Sequence, residues 1–181
     1  MERIILDGLQ FKPFLHEKEI VERIEELAKS IRKIYEKKNP IFLCVLNGSF
    51  YFTAELLKNC LFDYEISFVR VKSYDGIHSA NEIKEFIGLE HDIENRHIVI
   101  VEDIVESGLT TNYLINKLKT LNPSSVSIAT LLYKPNKLKY HHLPIDFIGF
   151  TISDEFVIGF GLDYNNKARN LRSIYQLTQE S

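Results

Sequence analysis

Residues 99–111, V-I-V-E-D-I-V-E-S-G-L-T-T, restrict the fold of this 181-residue chain more than any other stretch. Residues 98–101 are apolar and β-branched with no polar alternation, as in a strand buried on both faces of a parallel sheet. Glu102 and Asp103 end that run, Glu106, Ser107 and Gly108 follow, and Leu114, Leu118 and Leu121 then recur at helical spacing. The order is strand, acidic loop, helix. In an open α/β sheet ligands sit outside the carboxyl ends of the strands, so this loop falls where a substrate would be held.

The residue types of the loop point to an anion beside a set of hydroxyls. Gly108 allows close backbone approach, and Ser107, Thr110 and Thr111 add hydroxyl donors to the free amides of a helix N-terminus, a natural phosphate site. Carboxylates repel phosphate, so Glu102 and Asp103 suit ribose hydroxyls or a divalent cation, and Glu106 suits a base. A plain helix cap beside a solvated acidic turn uses the same residue types, and the loop alone leaves both readings open. Neither G-x-G-x-x-G nor G-x-x-x-x-G-K-[ST] is present in this stretch, which excludes a dinucleotide fingerprint and a P-loop.

A second strand, glycine turn and helix follow the same plan. Residues 41–46, I-F-L-C-V-L, have no polar face, Asn47-Gly48-Ser49 make the turn, and residues 50–59 read as a helix. Upstream, apolar residues from Ile20 to Tyr35 form one helical stripe within residues 17–38, which Asn39-Pro40 stops. Residues 64–72, 125–133 and 145–152 read as further strands, and residues 73–81 as a long polar loop. Residues 3–15 read as an irregular opening that packs over the core, and residues 156–162 as a core strand loosened by two glycines. His141-His142 are adjacent, with no third ligand nearby, and read as surface histidines.

Length and charge narrow the partners. The length suits one α/β domain over residues 1–181, and the net charge of −3 with a pI near 6.1 offers no general attraction to nucleic acid or an anionic membrane. No apolar run approaches the roughly 20 residues of a membrane span, and the first residues lack a signal-peptide core, so a cytoplasmic location is expected. Two cysteines, Cys44 and Cys60, are too few for a disulfide framework and are expected to be buried and reduced.

The central stretch resembles the 5-phosphoribosyl-1-pyrophosphate (PRPP) motif of type I phosphoribosyltransferases, and within them the hypoxanthine (hypoxanthine-guanine) phosphoribosyltransferases. A distant segment, S-D-E-F-V-I-G-F-G-L-D-Y-N at residues 153–165, resembles that family's purine-binding D-[EK]-F-V-[VI]-G-[YF] followed by L-D-Y. The resemblance spans roughly residues 40–172. It implies a Rossmann-like, mostly parallel sheet flanked by helices, with a small hood built from parts of the N- and C-terminal segments. The implied reaction is Mg2+-dependent transfer of phosphoribose from PRPP to N9 of hypoxanthine or guanine, in a homodimer or homotetramer.

Residue by residue, the resemblance implies that Ser107, Gly108, Leu109, Thr110 and Thr111 hold the 5′-phosphate. Glu102 and Asp103 would face the ribose hydroxyls or a metal ion, with Asp163 at a second ion. Asn47, Gly48 and Arg169 would meet pyrophosphate, and the family's non-proline cis peptide corresponds to Leu46-Asn47. Ser73 and Tyr74 would begin a loop that closes over the reacting centre. Lys134 would donate to the purine O6, Phe156 would stack on the ring, and the main-chain carbonyls of Val157 and Asp163 would accept from ring N1–H and an exocyclic amine. Glu106 stands where the family usually has aspartate, hydrogen-bonded to N7 and serving as proton acceptor, and Asn47 stands where it often has a basic residue. A preference shifted toward xanthine stays open within the family, while the net acidity and the near-complete set of site residues weigh against a regulator that keeps the PRPP site and binds RNA or a protein partner.

Overall fold

The computed structural model describes residues 2–76, 79–87 and 92–178, with 72–76 and 79–87 described by backbone alone. Among the described residues the main sheet has six strands, β3 (Ile41–Leu46), β4 (Glu65–Gly76), β5 (Ser79–Ile87), β6 (His97–Val105), β7 (Ser125–Tyr133) and β8 (Ile145–Thr151), ordered β5-β4-β3-β6-β7-β8. All neighbouring pairs from β4 to β8 are parallel, and β5 adds an antiparallel edge. The apolar runs alternate between two cores. Phe42, Cys44, Val99 and Val101 pack under α1 (Glu17–Tyr35) and α2 (Phe50–Asn59), while Ile41, Leu43, Val45, Ile98 and Ile100 face α3 (Leu109–Lys119). A strand covered by helices on both faces has no solvent side, which is why its sequence shows no polar alternation.

Taken among the parallel strands alone, the order is 2-1-3-4-5, and its direction reverses between β3 and β6. From β3 the chain leaves into α2, and from β6 into α3, on opposite faces of the sheet. A crevice opens at such a switch point, outside the carboxyl ends of the strands. Both glycine turns picked out in the sequence border it.

Several elements differ from the sequence reading. The opening residues are ordered as β1 (Ile4–Leu6) and β2 (Leu9–Leu15), a hairpin turned by Asp7 (φ 48) and Gly8 (φ 83). With β9 (Val157–Ile158) and β10 (Ile174–Leu177) they form a four-stranded antiparallel sheet ordered β1-β2-β10-β9, the hood. Only Val157 and Ile158 of the expected 156–162 strand are extended; Gly159, Phe160 and Gly161 follow with φ of 98, 51 and 97, turning the chain back toward the crevice. Strand β6 continues through Glu102 and Asp103 to Val105, so those acids stand on a strand and not in a loop. Helix α1 ends at Tyr35, three residues short of the expected end, with Lys38 N–H bonded to its carbonyl and Asn39 already left-handed (φ 40).

The expected loop carrying Ser73 and Tyr74 is also strand. Pairing of β3 with β4 ends at Leu46↔Arg70, whereas β4 runs on to Gly76 and pairs with β5 as far as Gly76↔Ser79. Ser73 pairs with Ile83 and Tyr74 with Glu82 in this two-stranded arm, which continues past the end of β3 on the crevice side. His78, within the expected 73–81 loop, lies outside the described residues. Cys44 and Cys60 are free and buried, as expected, and burial pushes each thiol up to about 12.

On the opposite edge, Arg23 of α1 donates from Nε to the Gly149 carbonyl and from Nη2 to the Ile148 carbonyl, each at 2.8 Å. Arg23→Met should keep most of the aliphatic stem and remove both donors, lowering unfolding free energy by about 1–3 kcal/mol. Urea denaturation checks this; an unchanged midpoint would mean that water serves the two carbonyls equally well.

Candidate active site

Three chain segments converge at the switch point with no space between them. A Cβ on Gly48 would overlap the Asp103 carboxylate, and a Cβ on Gly161 would overlap the Gly48 carbonyl oxygen. The turn after β3 is therefore held between the end of β6 and the turn after β9. The Leu46-Asn47 peptide in it is cis, as the resemblance implies, and Asn47 is exposed. Ser49 does not cap α2: its Oγ donates back to the Val45 carbonyl at 2.5 Å, tying the turn to its own strand.

Glu102 and Asp103 are the unusual charges. Glu102 is 8% exposed, and its Oε2 has no hydrogen-bond partner among the described residues. Burial holds its carboxyl well above the ordinary carboxylate range, with the neighbouring Asp103 charge adding to the effect. Asp103 is pushed up to about 6 by burial, against hydrogen bonds from backbone amides and the opposing charge of Arg169, while Asp163 pushes it further up. One of those amides is Ile104 N–H, which donates to Oδ1 at 3.0 Å. A buried and a half-buried acid in line at a strand end are poor company for each other and good company for a cation or for hydroxyl donors.

Residues 102–111 line a cavity of about 230 Å3. Gly108 (φ 77) is the N-cap of α3, and Asn112 N–H makes the first intrahelical bond to its carbonyl at 2.8 Å, so the amides of 109–111 precede the helical ladder. Ser107 Oγ accepts from Leu109 N–H at 3.3 Å, and the Ser107 carbonyl accepts from Lys139 N–H at 3.1 Å. Thr111 is buried and Thr110 half-buried at the helix start. Gly108 leaves no room for a side chain beneath Leu138 and Leu143.

Glu106 lies between two lysines. Lys134, 3% exposed at the end of β7, reaches Glu106 Oε2 at 3.4 Å; Lys137, on the 3-10 turn Pro135–Lys137, reaches Oε1 at 2.5 Å. Half-burial pushes the Glu106 carboxyl up, but the Lys137 hydrogen bond and the charges of both lysines more than offset it and hold the group below its ordinary value. Lys134 is thus a buried cation and not a strand-end chain reaching to water. Lys137 was not singled out in the sequence; its only signal is its place three residues after Lys134, across Pro135.

On the hood side, Phe156 is 43% exposed, with its ring 6.5 Å from Phe11 and 5.8 Å from Tyr164. Val157 is buried beside it. Arg169 pairs with Asp163 at 2.6 Å and donates to the Gly161 carbonyl at 2.7 Å, while the Asn166 amide donates to the other Asp163 oxygen. Lys167 reaches back to Asp7 at 2.6 Å, fixing the hood hairpin to this turn. The structure thus brings together Gly48, Asp103, Asp163 and Arg169 in one group and Glu106 with Lys134 in another. Ser73 and Tyr74 stand apart on the arm. His142 bonds Asn112, and both histidines are exposed.

Residues 12–165 match the family described as phosphoribosyl transferase domain. The chain is 37% identical over 170 residues to a hypoxanthine-guanine-xanthine phosphoribosyltransferase of Tritrichomonas foetus, covering 94% of the chain and 92% of that protein. It is 41% identical over 176 residues to a hypoxanthine-guanine phosphoribosyltransferase of Lactococcus lactis, covering 97% and 95%. A solved hypoxanthine phosphoribosyltransferase from Staphylococcus aureus superposes with a TM-score of 0.87 at 34% identity, over 92% of the chain and 91% of its own.

The raised acids have a consequence for stability. An unfolded aspartate titrates near 3.9, and folded Asp103 at about 6, so between these values the folded state binds more protons and unfolding free energy falls as pH rises. Asp103→Asn stays neutral throughout. In metal-free buffer it should lose less stability than the native protein from pH 4 to 6.5 and be the more stable of the two at pH 7, measured by denaturation at each pH. Parallel curves for the two proteins would contradict the assignment.

Proposed function

The chain belongs to the phosphoribosyl transferase family, and from that premise we propose that it is a purine-salvage enzyme transferring phosphoribose from PRPP to N9 of hypoxanthine or guanine. Glu106 held between Lys134 and Lys137, beside a half-exposed Phe156, is the observation that carries this reading. The whole chain acts as one unit, with the hood over the purine side.

In this reaction the C1′–O bond to pyrophosphate breaks with its electron pair leaving on oxygen, and a bond forms from N9 to C1′. The base then has one proton too many, and the ionised Glu106 takes it from N7. Lowering of the Glu106 carboxyl by the two lysines supports that role, because it keeps the acceptor charged. Lys134 donates to O6 and the Val157 carbonyl accepts from N1–H; in guanine, the Asp163 carbonyl accepts from the exocyclic amine. Adenine offers an amino group to a lysine that can only donate and a bare N1 to a carbonyl that can only accept, two buried mismatches. Phe156 has a free ring surface for the base.

The 5′-phosphate rests on Ser107, Gly108, Leu109, Thr110 and Thr111, supported by their place at the α3 N-terminus around the 230 Å3 cavity. Asn47, Gly48 and Arg169 face pyrophosphate, and the arm bearing Ser73 and Tyr74 covers the reacting carbon and keeps water from it. The orphaned Glu102 Oε2 and the raised Asp103 form an all-oxygen acidic set that fits Mg2+, a hard cation commonly bound by one or two carboxylates plus substrate phosphates. Glu102, Asp103 and Asp163 would hold Mg2+, which when bound neutralises charge on pyrophosphate. Among the described residues no helix is long and apolar enough to cross a membrane, and the proposed setting is the cytoplasm. Exposed Ile66, Phe68 and Leu61 support assembly into a homodimer or homotetramer.

Pyrophosphate release with PRPP and Mg2+ should be seen with hypoxanthine or guanine and not with adenine, and a chelator should abolish it until Mg2+ is restored. Xanthine in the same series ranks the third base. No turnover with any base despite PRPP binding would overturn the assignment. Glu106→Gln should lower kcat by about 100-fold or more, the usual range for losing a general base; full activity would remove Glu106 from that role.

A further inference from the structure

Glu106 has one more rotatable bond than the aspartate usual at its position, so its carboxylate can sweep over a wider arc. Lys134 alone would restrain it weakly, at 3.4 Å from one oxygen. The closer grip is on the other oxygen, where Lys137 sits at 2.5 Å. Lys137 is 41% exposed, yet its backbone is not free to wander. Its amide bonds the Lys134 carbonyl at 3.3 Å, Leu138 N–H bonds Pro135 O at 3.3 Å, and Lys139 N–H bonds Ser107 O at 3.1 Å. Buried Leu138 lies against the Cα side of Gly108. The 3-10 turn is thus fastened to the residue that follows Glu106, and the 620 Å3 cavity between Glu106–Ser107 and Asn136–Lys139 leaves the lysine side chain its path to the carboxylate.

We infer that Lys137 is a positioning residue for the transfer reaction: by holding Glu106 Oε1 it leaves Oε2 on the Lys134 side, aimed at N7 of the bound purine. The inference rests on the reading of Glu106 as the N7 proton acceptor. An exposed lysine–glutamate pair ordinarily contributes little to stability, so a purely structural pair would be nearly silent in every assay. A positioning pair is not silent, because a displacement of about 1 Å at a reacting group can cost on the order of 100-fold in rate. The charged groups facing Glu106 are Lys134 from β7 and Lys137 from the turn; Asp154 in turn acts on Lys137, and Glu155 on Lys134.

The test uses the full chain with Lys137→Met, Lys137→Arg, Glu106→Gln, Glu106→Asp and the Glu106→Asp/Lys137→Met pair, assayed with hypoxanthine at saturating PRPP and Mg2+. Lys137→Met should lower kcat roughly 10- to 100-fold, the scale of a misplaced reacting group. KM for PRPP should stay within about threefold, the melting temperature should hold, and the acid limb of the kcat/KM profile should move to higher pH, because one cation fewer favours the protonated carboxyl. Lys137→Arg should restore most of the rate. Aspartate is one methylene shorter and draws the carboxylate back from Lys137, so Lys137→Met should change less in the Glu106→Asp background than in the native protein, a non-additive cycle. Native kcat in Lys137→Met, alongside a disabled Glu106→Gln, would overturn the inference, as would a rate loss matched by a lower melting temperature and not rescued by arginine. An active Glu106→Gln would instead overturn the underlying reading of Glu106, a separate and recognisable result.

Discussion

The site depends on a close approach that only glycine permits. Gly48 lies against the Asp103 carboxylate on one side and against Gly161 on the other, so the ends of β3 and β6 and the turn after β9 meet at one point. Parallel pairing makes this possible by bringing the carboxyl ends of β3 and β6 side by side, and the opposite departures of α2 and α3 keep the space above them open. The hood then closes that space from the other direction. Its sheet carries both ends of the described chain, with β2 pairing to β10, so the proposed purine side is built by residues far apart in sequence and fixed to the crevice through Gly161.

That packing has an electrostatic cost, and the molecule meets it differently at each part of the site. At the end of β6 Glu102 is buried with Oε2 unpartnered among the described residues, Asp103 beside it is half-buried, and burial raises both carboxyls. In the proposed reaction a cation or the ribose hydroxyls satisfy them, so part of the binding free energy is set by how poorly water and protein alone do so. Elsewhere the charges already have partners: Asp163 holds Arg169, and Glu106 holds Lys134 and Lys137. In the proposed reaction substrate binding there would be an exchange of partners, which avoids leaving an uncompensated buried charge in either state.

Strands buried on both faces were the most legible part of the sequence. Ile41–Leu46 and Ser125–Tyr133 have in the structure the bounds that their apolar runs and flanking turns imply. The hood strands escaped because they are short and half-exposed, without a clear period, although Asp7-Gly8 between Leu6 and Leu9 is the strongest short hairpin signal a sequence carries. The end of β6 escaped because Glu102 and Asp103 break the apolar run while remaining in the strand, a conflict between local pattern and function that is expected at sites. Phe160 at φ 51 gives no sequence warning of its left-handed turn. Lys137 carries little signal beyond its place after Lys134, since its contact with Glu106 requires a 3-10 turn that joins two loops some thirty positions apart.

The two lysines make base selection in the proposed reaction a competition and not a simple fit. Lys134 is buried at the end of β7, and Glu106 is a carboxylate that reaches it, at 3.4 Å. A 6-oxopurine brings an acceptor to Lys134 at the same moment that its N7 proton draws on Glu106, so both members of the pair gain a partner as they loosen from each other. An adenine ring brings a donor toward a donor, so Lys134 would leave Glu106 without gaining an acceptor from the base. Discrimination then follows from the ion pair that exists before the base arrives, and its strength depends on whatever else holds Glu106, which in this chain is Lys137.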